Sequence, residues 1–117
     1  MGSLTYDNMV IEFDDRVLAH LQIVIVQKLR RGESFLMSWR DSLNSGDGRA
    51  AIWIAPTISL YFKFLGSKVP AIDKDWLHEL GKSAESSTGL IVTNEKGELV
   101  DANAGYPGFQ TSNGSKR

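Results

Sequence analysis

Two hydrophobic periods meet in the first part of the chain. Leu18, Leu21, Val24, Ile25 and Leu29 recur at the spacing of an amphipathic helix, forming one broad apolar face. From Ser34 to Arg40 the period falls to two, with Phe35, Met37 and Trp39 on one face and Ser34, Ser38 and Arg40 on the other. That alternation predicts a half-buried strand. The junctions are marked as well: Asp14 or Asp15 is placed to N-cap the helix, Lys28, Arg30 and Arg31 fall in its last turn, and Gly32 stands where a left-handed cap is wanted. The β-branched run Ile23 to Val26 favours strand locally, but the length of the segment and its two caps outweigh that preference.

The period of two continues downstream. Ile52 and Ile54 alternate with Ala51, Trp53 and Ala55, and after Pro56 the residues Ile58, Leu60, Phe62 and Phe64 alternate with Ser59, Tyr61 and Lys63. With Ser34 to Arg40 these predict three strands in an antiparallel meander. Leu4 to Tyr6 and Met9 to Phe13 predict a small hairpin around Asp7-Asn8. Asp73 caps a second, shorter helix whose inward face holds Trp76, Leu77, Leu80 and Ala84, and Gly81 weakens it. A last strand is expected over Leu90 to Thr93, with Leu99-Val100 as a possible short addition. The fold class is α+β in β(β)αβββαβ order: a mainly antiparallel sheet of four to six strands on one long helix, with the second helix at an edge or end. Residues 1–93 are expected to form one domain, and 94–117, rich in Gly, Ser and Asn, a mostly flexible extension.

Ile23 and Val26 lie to one side of the helix's main stripe, so this helix is more apolar around its circumference than packing on one sheet requires. Either the carboxyl-terminal segment or a second subunit covers that flank. His20, Gln27 and Arg31 fall opposite the stripe and are expected in solvent.

Composition narrows the functional classes. A chain of 117 residues with 42% hydrophobic side chains suits one soluble domain with a modest core. Without cysteine there are no disulfides, thiolate ligands or thiol nucleophile. No apolar run is long enough to span a bilayer and the amino terminus lacks a secretory pattern, so a cytoplasmic location without membrane attachment is expected. A formal net charge of -1 gives no general attraction to a polyanion.

Candidate chemistry is sparse. His20 and His78 stand on different helices, neither with a second ligand at i+4, so no metal or other cofactor is expected. Ser34, Ser38 and Ser59 lack a G-x-S-x-G setting, and capping accounts for Asp14 and Asp15 without acid-base catalysis. No catalytic residue is assigned. Gly46-Asp47-Gly48-Arg49 reads as a hairpin turn before it reads as an anion cradle. Arg40, Trp53, Tyr61 and Lys63, with Arg49 beside them, fall opposite the apolar stripes of their strands. Aligned on one sheet they would make a surface able to stack bases and pair phosphates. Trp53 and Tyr61, with Ile23 and Val26, equally suit burial in a homodimer.

The succession FDDRVLAHLQIVIVQKLRRGESF, SWRD, GDGR, a strand ending YFKF, and a later Trp followed by AESSTGL resembles a family of small, uncharacterised actinobacterial proteins over about Leu4 to Val92. Members of that family are often labelled ATP-dependent DNA ligase, and the resemblance implies an association with DNA. Ligase chemistry needs a nucleophilic lysine in K-x-D-G, and no lysine here precedes x-D-G. The expected function is therefore a non-catalytic, homo-oligomeric interaction module, with a DNA-associated accessory protein as the alternative.

Overall fold

The computed structural model describes residues 1–41 and 48–106; Gly46 and Asp47 of the expected hairpin turn, and Phe109 with the rest of the tail, lie outside the described residues. The elements run β1 (Gly2–Tyr6), β2 (Met9–Phe13), α1 (Asp15–Arg30), β3 (Phe35–Asp41), β4 (Gly48–Ile54), β5 (Leu60–Lys63), α2 (Lys74–Glu85), β6 (Leu90–Ile91) and β7 (Asn103–Gly105). The class is α+β, with two helices as expected.

Local signals account for most of these elements. β1 and β2 pair as an antiparallel hairpin whose turn is carried by Asp7 at φ 57°, a conformation that Asp tolerates better than most side chains. Asp14 caps α1 by accepting a hydrogen bond from the Arg16 N–H at 3.2 Å. At the other end Gly32 sits at φ 73° with its N–H on the Leu29 carbonyl. Asp73 caps α2 by accepting from the Trp76 N–H at 2.9 Å. Gly81, inside α2, has nothing within 4 Å of where a Cβ would stand. Gly81→Ala is therefore expected to raise stability by about 1 kcal/mol in urea denaturation, through helix propensity and a less free unfolded chain; no gain would mean that residue 81 is not regular helix.

The sheet expectation needs correcting. Two sheets form in place of one: β5-β1-β2-β7 and β4-β3-β6. β3 and β4 pair antiparallel as predicted, but β5 leaves them and pairs with β1, setting Leu4 opposite Phe62 and Thr5 opposite Tyr61. The meander breaks at Pro56, which has no N–H to give a ladder. Just before it, the Ala55 N–H is taken by the Tyr6 hydroxyl at 2.8 Å, and the Ile58 N–H closes a turn on the Ala55 carbonyl. β6 then returns parallel to β3, with Met37 opposite Leu90.

The described part of the expected extension is woven into the fold. Asn94 accepts from the N–H groups of Lys96 and Glu98 and turns the chain. Val100 and Ala102 flank Arg40, the Arg40 N–H donating to Val100 and the Ala102 N–H to Arg40, and β7 then adds to β2. Residues 99–105 thus run from one sheet to the other, and Ala102 is buried in the core. Backbone pairing holds this stretch.

One core joins the parts. Leu4, Ile11 and Phe13 come from the first sheet, Met37, Ile54 and Leu90 from the second, and Leu18, Leu21 and Ile25 from α1. Trp76, Leu80 and Ala84 of α2 complete it, so the second helix is a core element with contacts to α1, β3 and β6. α1 buries a second line as well: Val17, His20, Val24 and Lys28.

Candidate interaction surface

β4 carries Arg49 and Trp53 on one exposed face. Its alternation sends Ile52 and Ile54 inward and Arg49, Ala51 and Trp53 outward, and the Trp53 side chain is 60% exposed. Beside them on β3 stand Leu36, Ser38 and Arg40, directly opposite Trp53, Ala51 and Arg49. Arg40 and Arg49 are like charges across a strand pair, an unfavourable arrangement that Asp101 relieves on the Arg40 side at 3.4 Å. Among the described residues Arg49 has no ion-pair partner. Next to Trp53, a hollow of about 210 Å³ opens between Leu36 and the Ser86–Gly89 turn.

The strand is also an edge. β4 pairs only with β3, so every second residue of this seven-residue strand directs its N–H and C=O to a side with no partner among the described residues. The edges of the other sheet, β5 and β7, have four and three residues. A long open edge bearing an aromatic residue is a template for pairing with another chain.

The remaining candidates are dispersed. Tyr61 is 60% exposed and Lys63 is exposed, but both stand on β5 in the other sheet, facing Thr5 and Ser3 of β1. The single basic and aromatic sheet face expected from Arg40, Arg49, Trp53, Tyr61 and Lys63 is thus divided, because the chain changes sheets after Pro56. On α1 Ile23 is half-buried and Val26 is exposed. Leu65 and Val69, in the loop leading to α2, are also strongly exposed. The sequence offered no periodicity by which to notice them.

A polar cluster forms where none was expected. His20 is fully buried, its ring stacked on Trp76 at 4.0 Å between centroids. Nε2 accepts from the Asp73 N–H at 2.9 Å, so the proton must sit on Nδ1, which donates to the Arg16 carbonyl at 2.7 Å. Arg16 lies over the Trp76 ring and grips Glu95 through both terminal nitrogens. The Glu95 carboxylate holds the Arg16 guanidinium above its ordinary pKa. The Trp76 N–H holds the Asp73 carboxyl below the usual range.

The adjoining cleft, about 500 Å³ between α2 and the Thr93–Gly97 turn, is acidic through Asp73, Asp75, Glu79 and Glu95. Asp73 and Glu95 are occupied by these internal contacts. No group of three or more potential metal ligands occurs among the described residues.

Asp15 serves a different purpose from its neighbour. Its carboxylate accepts from the N–H groups of Leu65 and Gly66 at 3.1 and 2.9 Å, tying the β5–α2 loop to α1. Those donors, Gly66 first, hold its pKa down. At the far end Lys28, Arg31, Glu33 and Glu85 form an ion-pair network that links α1 to α2.

A family model described as Domain of unknown function (DUF7882) matches residues 1–95. The chain belongs to that family. No curated protein and no solved structure matches it. The DUF7882 match takes in both helices and β1 to β6, and therefore the whole β4 edge; it ends at Glu95, the partner of Arg16, while Ala102 and β7 lie beyond it. No helix among the described residues is long and apolar enough to cross a membrane.

Proposed function

We propose that this DUF7882 chain is a non-catalytic interaction module that self-associates through the second sheet. The observation that carries the reading is the open seven-residue edge of β4 with Trp53 standing 60% exposed beside it. A backbone edge supplies hydrogen bonds without chemical specificity, and a large aromatic side chain supplies a contact of the kind that dominates interface energetics. Asp14, Asp15, Asp73 and His20 are each committed to a structural hydrogen bond.

The nucleic-acid reading has less behind it. Its five side chains are spread over two sheets, and Arg40 is tied to Asp101.

Light scattering over a range of concentrations tests the proposal. The wild-type chain is expected to exceed its 12.9 kDa monomer mass as concentration rises. Trp53→Lys should weaken association about tenfold or more, as loss of an interface aromatic does. Ile23→Lys should leave it unchanged. A mass of 12.9 kDa throughout would overturn the reading, and a loss confined to Ile23→Lys would move the contact to the α1 flank.

A further inference from the structure

We infer that the occupant of the β4 edge is a second copy of the same strand, paired antiparallel about a twofold axis through Ala51. This rests on the self-association reading and adds the partner, its direction and its register.

The argument comes from what stands opposite what. In an antiparallel pair, residues directly opposite share a face, so a symmetric β4 pair must be centred on a residue to keep Ile52 and Ile54 inward. Centring on Ala51 uses all of Gly48–Ile54. On the outer face Arg49 then meets the partner's Trp53, and Ala51 meets the partner's Ala51. On the inner face Gly48 meets the partner's Ile54 and Ala50 meets the partner's Ile52.

Every large side chain therefore faces a small one or a complementary one. The two alanines at the centre meet on the outer face without crowding. Arg49, which has Arg40 on one side and no ion-pair partner among the described residues, gains the face of an indole on the other. Shifting the centre to Ala50 sets Arg49 against Ala51, and shifting it to Ile52 sets Arg49 against Ala55. Both discard the pairing of cation with ring. The product is one continuous sheet ordered β6-β3-β4 followed by β4-β3-β6 of the second copy, which removes the long open edge from each.

The absence of cysteine makes the register directly testable. Ala51→Cys places two thiols across the axis at the separation a disulfide requires, whereas Thr57→Cys, exposed and outside β4, does not. Under mild oxidation of the full chain, Ala51→Cys is expected to give a reducible covalent dimer at least about tenfold in excess of that from Thr57→Cys. A second test needs no thiol. Arg49→Glu and Trp53→Lys should each reduce the dimer by light scattering, and the double variant should restore it, because each Glu then faces a Lys of the other copy.

Cross-linking together with rescue supports the register. A dimer that persists in solution without Ala51 cross-linking and without rescue overturns the register while leaving self-association in place. A chain that stays at 12.9 kDa overturns both. Circular dichroism of the single variants separates a lost contact from a lost fold.

Discussion

Gly89→Ala is expected to destabilise the protein by roughly 3–4 kcal/mol, while Gly97→Ala costs only about 1 kcal/mol. Both glycines have positive φ, 81° and 82°, so both substitutions carry the strain of a left-handed residue. Their surroundings differ. A Cβ on Gly97 meets nothing within 4 Å, but one on Gly89 would lie 2.4 Å from the Leu36 carbonyl oxygen. That oxygen is backbone of β3 and cannot rotate away. Relief requires moving β6 off β3, and β6 together with the residue after it carries the fully buried Leu90 and Val92. Urea denaturation of the two variants side by side isolates the steric contribution. Equal losses would show that β6 does not pack against β3 as closely as described.

His20→Leu is expected to cost about 3 kcal/mol, despite placing an apolar side chain at a buried helix position. The change leaves the Asp73 N–H without its acceptor and removes a ring stacked on Trp76. The Arg16 carbonyl suffers less, since it also lies within reach of the helical ladder. His20→Gln, whose amide oxygen can accept in place of Nε2, should lose about half as much. Amide exchange should report where the loss occurs: α2 amides should quicken before those of β1 and β2, because His20 fastens the start of α2 to α1. A neutral His20→Leu variant would mean that solvent satisfies the Asp73 N–H and that the imidazole holds nothing together.

Particular residues show how far the pattern could be read. The caps at Asp14 and Asp73, the Gly32 terminator, the Asp7 turn and the inward and outward faces of β3, β4 and β5 stand where their spacing placed them. Each depends on contacts within a few residues. His20 falls with Gln27 and Arg31 opposite the stripe of Leu18, Leu21, Val24, Ile25 and Leu29, which is why the spacing places it in solvent. Val17, three before His20, and Val24, four after it on the flank of that stripe, carry the signal that the buried face extends round to His20. Asp15 was grouped with its neighbour as a cap, yet its carboxylate reaches the N–H groups of residues fifty positions away. On the candidate surface, the exposure of Trp53 followed from alternation, but whether Tyr61 and Lys63 joined it turned on which sheet β5 entered.

Local pattern accounts for the two capped helices, their apolar faces, the hairpin, and the direction in which each strand points its side chains. Those features follow from backbone propensity and from periods of 3.6 and 2, which act over short stretches of chain. The choice of strand neighbours came from the folded core. That core divided the strands between two sheets, brought β6 back parallel to β3, and threaded residues 99–105 from one sheet to the other. It also left β4 as the long open edge. Strand pairing is made by backbone groups that are nearly the same in every residue, so the choice of neighbour is settled by the packing of the whole core.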